Sequence, residues 1–343
     1  MYLATIDCGT TNTRIFIVKD EGSVVGRASR KVGVRDTAIS GSNAVLKDGI
    51  RKTFDEALAG ASLSAGDIGM VLSSGMITSE IGLIDIPHLW APAGLKELAD
   101  NIVEVADPGV VPLPLPIRFI RGIKNRYNPD TAGMRDVGRL DFMRGEETQV
   151  AGLLAARRIA LPVTVVILSS HTKFIPIDRE RRILGSLTTL SGQIFEAVVQ
   201  QTFIGKSIGE DPSDPAPASI DGDIVEQAYQ RVREAGFLRT LLMPRFLDVL
   251  LKTRWHQRRL FVEAAIAAED MRAIGYFARM GFPEESHFIL VGNERRCRIY
   301  EHLLRHHVQG AREIDCISDP DEVDALSIRG AVSLARMAGM IPR

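Results

Sequence analysis

Cysteine is scarce. Cys8, Cys297 and Cys316 are the three in 343 residues, with no close pair and no metal-like spacing. An odd, sparse set argues against a disulfide framework and fits a reducing compartment. Charge of one sign is not in excess either: 42 lysines and arginines face 43 acids, for a formal net charge of -1. Such a chain has no global positive field to hold a polyanion, so no nucleic-acid partner is expected, although a local basic patch is still open. No segment approaches the ~18–20 apolar residues that span a bilayer. The stretch Tyr2–Ile6 before Asp7 is too short, and lacks the basic flank, for a secretory leader. The expectation is a cytoplasmic protein without a membrane partner. What is present is an ordinary globular balance, 45% hydrophobic and 25% charged residues. The length suggests two domains at ~150 residues each.

The order of elements repeats. Tyr2–Ile6 reads as a buried strand, Cys8–Thr13 as a Gly/Thr/Asn turn, Ile15–Val18 as a second strand and Ser23–Ala28 as a third, an antiparallel meander. Asn43–Gly60 has helical periodicity, and Ile68–Leu72 is another buried strand ending at Ser73-Ser74-Gly75. After the proline-rich stretch 108–116 and an irregular polar segment at 125–139, a helix at Glu146–Ile159 leads to a second meander. Its strands are Val163–Leu168, Lys173–Ile177 and Ile183–Thr188, about a polar turn at Ser169–Thr172. Ile15 and Phe174, Val24 and Ile183, and Gly26 and Gly185 are each 159 residues apart. Helices follow near Gln193–Ile204, Ile224–Ala235, Phe246–Lys252 and Leu260–Met280. Strands at Phe288–Val291 and Glu313–Ile317 alternate with helices at Glu294–His306 and Glu322–Met337. Two α/β lobes are expected, residues 1–140 and 141–343, with a ligand cleft between them.

The sharpest motif is Asp7-Cys8-Gly9-Thr10-Thr11-Asn12-Thr13-Arg14. A tight turn of small residues exposes N–H groups and hydroxyls that can surround phosphate oxygens. Asp7 would hold Mg²⁺ through water, and Arg14 supplies either a fixed positive charge or a structural ion pair. An ordinary hairpin uses the same residue types. Ser169-Ser170-His171-Thr172-Lys173 supplies the corresponding turn in the second meander, where His171, Thr172 and Lys173 either assist phosphate binding or merely fill the turn. Gly292 and Asn293, between a buried strand and a helix, allow backbone to approach a nucleoside, although strand-to-helix turns also use glycine for steric reasons. Gly75 and Met76 end a strand at the expected cleft, as substrate contacts or as a plain turn. Glu146 and Glu147 open a helix, where acids complement the dipole.

The motif Asp-x-Gly-Thr-Thr-x-x-Arg resembles the first phosphate turn of the actin/hexokinase/Hsp70-type ATPases, in the form of the glycerol-kinase-like sugar kinases. Met143-Arg144-Gly145-Glu146-Glu147-Thr148-Gln149 resembles the most distinctive segment of the 2-dehydro-3-deoxygalactonokinases. Ser170-His171-Thr172-Lys173-Phe174 is similar to their Thr-His-Ser-Lys-Trp turn, and Leu190-Ser191-Gly192-Gln193 to their Met-Thr-Gly-Glu. Leu290-Val291-Gly292-Asn293-Glu294 resembles their adenosine-side segment. The departures are Ser170, Phe174 and Gln193 for threonine, tryptophan and glutamate.

The resemblance implies an α/β fold of two similar ribonuclease-H-like lobes and an ATP- and Mg²⁺-dependent kinase. Its acceptor would be the terminal hydroxyl of 2-dehydro-3-deoxy-galactonate and its product the 6-phosphate, in galactonate breakdown. It implies that Glu146 is the base that takes the hydroxyl proton, with Asp141 and Glu147 as alternatives. A 2-keto acid substrate needs a cation for its carboxylate, which Arg144 could supply unless it serves a surface salt bridge. The small Ala325, Gly330, Ala331 and Ala335 of the last helix permit close packing, and the resemblance marks that helix as hinge-associated. Oligomeric state is left open, a homodimer being one option. Rival readings are a phosphohydrolase on the same fold and a non-catalytic actin-like nucleotide-binding protein. Gly205-Lys206-Ser207 lacks the earlier glycine of a phosphate loop, because Gln200 stands there. His302 and His306 read as a solvated helix face without a third ligand, and the basic run Arg254–Arg259 as helix surface.

Overall fold

The structure is a computed structural model that describes residues 1–283 and 286–342. The chain divides into two compact units, the first built from residues 1–160, 178–186 and 324 onward, the second from 161–177 and 187–323. The first unit opens on an antiparallel meander of β1 (Tyr2–Cys8), β2 (Thr13–Lys19) and β3 (Val24–Arg30). Helices α1 (Val34–Ser40) and α2 (Ala44–Ala61) precede β4 (Ile68–Gly75), which pairs with β1 in parallel. Next come β5 (Leu89–Trp90), α3 (Leu95–Asp100), β6 (Val103–Val105), β7 (Ile117–Phe119), β8 (Ile123–Lys124), β9 (Phe142–Met143) and α4 (Glu146–Ala156). The main sheet has the order β3-β2-β1-β4-β7-β6, and β5, β8 and β9 form a small second sheet.

Helix α2 forms because Leu46, Ile50, Phe54, Ala57 and Leu58 recur at three- and four-residue spacing, and all five are buried. Each large one contributes on the order of 1.5–3 kcal/mol by leaving water. Gly26 sets how closely the helix lies on β3. A Cβ there would stand 2.4 Å from the Ala57 carbonyl oxygen, so any side chain would lift the helix off the sheet.

The second unit repeats the plan. Strands β10 (Val163–Leu168), β11 (Thr172–Ile177) and β12 (Leu187–Thr189) form its meander. Six helices follow: α5 (Ser191–Gln201), α6 (Ile204–Ser207), α7 (Gly222–Ala235), α8 (Phe237–Val249), α9 (Trp255–Ile274) and α10 (Phe277–Met280). Then come β13 (His287–Gly292), α11 (Glu294–His307) and β14 (Glu313–Ile317), with sheet order β12-β11-β10-β13-β14. Between an antiparallel and a parallel neighbour, all six residues of β10 are buried, which explains its unbroken apolar run. Helix α12 (Pro320–Met337) follows β14.

The two meanders correspond residue by residue. Cys8 pairs with Thr13 and Leu168 with Thr172, while Ile15 faces Ala28 as Phe174 faces Leu187. The 159-residue offset therefore holds for the second strands and for Ala28–Arg30 against Leu187–Thr189, but not for Val24 and Gly26, whose counterparts Ile183 and Gly185 lie outside the second sheet. The bends differ: four residues, Gly9 to Asn12, join β1 to β2, and three, Ser169 to His171, join β10 to β11.

The expected third strand at Ile183–Thr188 is corrected to β12 at Leu187–Thr189. Residues 178–186 leave the second sheet, and Ile183 instead exchanges backbone hydrogen bonds with Ala93 in the first unit. Helix α8 begins nine residues before the expected Phe246, because buried Pro244 is accommodated inside it. The compact units also do not follow a boundary at 140/141. Helix α4 and most of α12 belong to the first unit, where a Cβ on Gly152 would lie 1.9 Å from the Leu326 carbonyl oxygen. One on Gly330 would lie 1.9 Å from that of Thr148. The two helices thus touch backbone to backbone, which the small residues of α12 permit. Among the described residues, no helix is long and apolar enough to cross a membrane.

Candidate active site

In the first unit the β1–β2 bend is braced by the segment after β3. The Val34 and Arg35 amides donate to the carbonyls of Gly9 and Thr10 at 3.2 and 2.9 Å, and Gly9 N–H closes the bend onto Asn12 O at 2.9 Å. Asn12 Nδ2 donates to Thr11 Oγ1 at 3.1 Å, and Thr13 Oγ1 to Val32 O at 2.8 Å. Gly33 is needed behind the bend, since a Cβ there would stand 2.4 Å from Thr10 O. Cys8 is fully buried, and burial pushes its thiol up to about 12.

Beside this bend, Asp7 lies across from Arg14 on β2 and from Ser74 on β4. Arg14 Nη1 donates to Asp324 Oδ1 of α12 at 2.8 Å. Burial raises the Asp7 carboxyl above its ordinary value. Arg14 opposes this shift, while the charges of Glu146 and Asp324 add to it. Three carboxylates and one guanidinium therefore act on one another at the end of β1.

Glycines make the approach possible. Gly75 has φ +96°, and a Cβ there would sit 2.6 Å from Cys8 O. Gly145 has φ +113° and packs on it, its Cβ position 3.3 Å from Gly75 Cα, so the start of α4 arrives over the end of β4. Met76 begins the short turn that follows Gly75.

The acids near this point have different surroundings. Glu146 is half-buried beside Asp7. Glu147 is fully buried and accepts the Gly145 N–H at 2.8 and 3.0 Å on its two oxygens. Burial, with the charge of Glu146 added, pushes it up to about 8 against the pull of that N–H. Asp141 is held elsewhere, its Oδ1 accepting from Ser186 Oγ at 3.0 Å. Arg144 is buried and turned into the segment 78–88, donating to Thr78 Oγ1 at 2.8 Å and Ile86 O at 2.9 Å, with Asp85 at 3.4 Å. Burial lowers its guanidinium below the usual arginine range.

In the second unit, Gly292 stands in β13 where Gly75 stands in β4. It pairs with Leu168, has φ +153°, and a Cβ on it would meet Leu168 O at 2.7 Å. Asn293 caps α11 by accepting from the Arg295 and Arg296 amides at 3.0 and 3.4 Å. The bend Ser169–His171 is clamped from two sides. Arg296 donates to Ser169 O at 2.6 Å and to Thr172 Oγ1 at 3.2 Å. Gln193 N–H donates to Ser170 O at 2.9 Å, and Gly192 lies so close that a Cβ would stand 2.3 Å from Ser169 O.

Thr172 and Lys173 are already on β11 and buried, Lys173 Nζ donating to Thr188 Oγ1 at 2.8 Å. Behind Thr172 runs a buried polar chain. Its hydroxyl lies 3.3 Å from Tyr300 Oη, and Tyr300 and Ser191 both donate to Asp270 Oδ2, at 2.5 and 2.6 Å. Burial raises Asp270 in spite of these donors, and it also raises Tyr300. The chain borders a pocket of about 460 Å³ lined by Thr189, Ser191, Asp270 and Tyr276 among others.

Residues 7–329 match the profile of the 2-keto-3-deoxy-galactonokinases. The chain belongs to this family. It is therefore a sugar-acid kinase of the phosphotransferase class, as the Met143–Gln149 segment led one to expect. A Rhizobium meliloti protein provisionally named 2-dehydro-3-deoxygalactonokinase is 25% identical over 71% of this chain and 69% of its own. The Escherichia coli 2-dehydro-3-deoxygalactonokinase is 25% identical over 72% of this chain and 70% of its own. The crystal structure of a Sinorhizobium meliloti protein, again provisionally so named, superposes with a TM-score of 0.75 at 22% identity, covering 100% of this chain and 98% of that one. An ADPNP-bound activator of 2-hydroxyisocaproyl-CoA dehydratase from Clostridium difficile superposes at 0.50 and 13% identity, over 99% and 96%. These likenesses bear on the fold alone, the two-lobed actin/hexokinase type that the paired meanders describe.

Within this kinase, Asp324, Arg296, Asp270 and Tyr300 were not singled out by sequence. Asp324 is one of three acids in the first turns of α12, and nothing in the order of residues marks it as the partner of Arg14, 310 positions away. Arg258, within the basic run 254–259, is buried and donates to the carbonyls of Ser207 and Thr253. That run is therefore only partly helix surface.

Proposed function

We propose that this protein transfers the γ-phosphoryl group of ATP to the terminal hydroxyl of 2-dehydro-3-deoxy-galactonate, giving the 6-phosphate and ADP. The observation that carries the reading is the convergence of Asp7, Arg14, Glu146 and Asp324 beside the small-residue bend, with Gly75 and Gly145 stacked against it. In this reading Glu146 accepts the proton of the sugar hydroxyl as its oxygen bonds to the γ-phosphorus and the bond to the ADP oxygen breaks. Phosphoryl transfer needs mainly positioning and charge stabilisation, so one base and a phosphate clamp suffice.

The donor set at the end of β1 is hard oxygen, which suits Mg²⁺. Asp7 would hold it, with Asp324 and Glu146 adding negative charge nearby. When bound, the ion would neutralise phosphate charge. Gly9, Thr10, Thr11, Asn12 and Arg14 would face phosphate oxygens, as would His171, with Gly292 and Asn293 on the nucleoside side. Thr172 and Lys173, expected at the phosphates, are buried on β11 and engaged by Arg296 and Thr188, and are proposed instead to hold the second bend. Gly75 and Met76 would border the sugar acid. Arg144, expected at the substrate carboxylate, is engaged by Thr78 and Ile86 and is proposed instead to hold the segment 78–88 in position.

The test is a coupled ADP-release assay with 2-dehydro-3-deoxy-galactonate and the purified, folded protein. Sugar-dependent turnover is expected, and its absence overturns the substrate. Phosphate release at the same rate without sugar would replace the kinase reading with a phosphohydrolase. Asp7→Asn is expected to weaken the Mg²⁺ response of turnover, and an unchanged metal titration would remove Asp7 from that role.

A further inference from the structure

Helix α11 carries three histidines in its last two turns, His302, His306 and His307, and α7 lies beside it with Glu226. His302 Nε2 is 2.9 Å from Glu226 Oε1. One ligand atom from each of Glu226, His302 and His306 falls within 4.8 Å of the other two. The sequence hid this trio, because Glu226 precedes His302 by 76 positions. The imidazole pair alone reads as a wetted helix face.

We propose that Glu226, His302 and His306 form a binding site for a divalent transition ion of the Zn²⁺ class, with His307 holding the carboxylate in place. Two imidazoles and a carboxylate make a borderline-soft donor set that Mg²⁺ and Ca²⁺ do not favour and Zn²⁺ does. Bond lengths of ~2.0–2.2 Å around a tetrahedral ion put neighbouring ligand atoms about 3.3 Å apart, so the 2.9 Å contact needs only a few tenths of an ångström of movement.

The supporting contacts match what orients metal-bound histidines. His306 Nδ1 lies 2.7 Å from the His302 carbonyl oxygen, which makes that nitrogen the donor and leaves Nε2 with the lone pair. The His302 ring is pressed on the first turn of α7, where a Cβ on Gly222 would stand 3.0 Å from its Cε1. His307 Nε2 reaches both Glu226 oxygens, at 3.0 and 2.9 Å, while its ring stacks on Tyr229 at 3.5 Å. The site is accessible: His302 and Glu226 side chains retain 20% and 31% of their exposure. The other described cluster, His287 with Glu313 and Asp315, offers one imidazole and two exposed carboxylates and suits such an ion less well.

The ion would clip α7 to the C-terminal end of α11. Arg296, which clamps the Ser169–His171 bend, lies ten residues earlier on the same helix, about 15 Å along its axis. Binding should therefore register as thermal stabilisation without altering turnover.

The experiment is equilibrium dialysis of Zn²⁺ against the full-length, chelator-stripped protein, carrying Cys316→Ser to remove its exposed thiol. The expected result is one ion per chain, held at about 10 μM or tighter, not displaced by millimolar Mg²⁺, and a raised melting temperature. His302→Ala and, separately, Glu226→Gln should each weaken binding at least tenfold with kinase activity unchanged, while His287→Ala leaves it intact. Either variant suffices if the other fails to fold. No stoichiometric uptake by the folded parent, or uptake that survives both substitutions, overturns the site. Kinase activity without Zn²⁺ uptake would remove the metal site and leave the phosphotransfer reading standing.

Discussion

Glu146 and Glu147 are neighbours in sequence with opposite circumstances. Half-buried Glu146 shares the electrostatic surroundings of Asp7, whereas Glu147 spends both oxygens on the Gly145 N–H at the head of α4. Glu146→Gln is expected to lower kcat on the order of 10²-fold with ATP affinity near normal, as loss of a general base does. Unchanged kcat in the coupled assay would remove Glu146 from that role. Glu147 makes a prediction about pH instead. Its pKa rises from 4.5 unfolded to about 8 folded. The folded protein therefore keeps a proton that the unfolded chain gives up, and stability falls as pH climbs through that window. Melting temperatures at about pH 5 and about pH 9 should show Glu147→Gln gaining on the parent at the higher pH, and equal differences at both would refute the shift. Sequence made Asp7, Gly9, Arg14 and Glu146 legible because a short local pattern states their chemistry. Asp324 and the inward turn of Arg144 were not legible, since both depend on which distant segment folds against them.

Helices and strands carry the next scale. The chain from Ser191 and Asp270 through Tyr300 to Thr172 props the second bend from behind. Tyr300→Phe removes one link, and the expected effect is a rise of about fivefold in KM for ATP with kcat within a factor of two, the equivalent of a single hydrogen bond of ~1 kcal/mol. A fall confined to kcat would deny it a positioning role. At the α4–α12 contact, Gly152→Ala would drive a methyl into the Leu326 carbonyl, and a loss on the order of 1–3 kcal/mol or more in denaturant unfolding is expected. Most elements were readable from apolar periodicity. The exceptions have physical causes: residues 178–186 are drawn off by Ala93 and Asn125, and Pro244 sits inside a helix that buries it.

At the scale of the molecule, each compact unit owns one of the two tryptophans, Trp90 in the first and Trp255 in the second. Replacing either by phenylalanine leaves a reporter for the other unit. Chains of more than one compact unit commonly depart from two-state unfolding. Tyr300→Phe should therefore lower the Trp255 midpoint in urea while moving the Trp90 midpoint little, and parallel shifts would mean that the chain melts as one body.

The unequal bends bear on chimeric chains. Because β2 and β3 keep step with β11 and β12 while the connections in front of them differ by one residue, the loop Ser169–His171 can replace Gly9–Asn12 only as a one-codon deletion. A length-preserving graft would slip the incoming strand by one position and turn its inward side chains to the opposite face of the sheet.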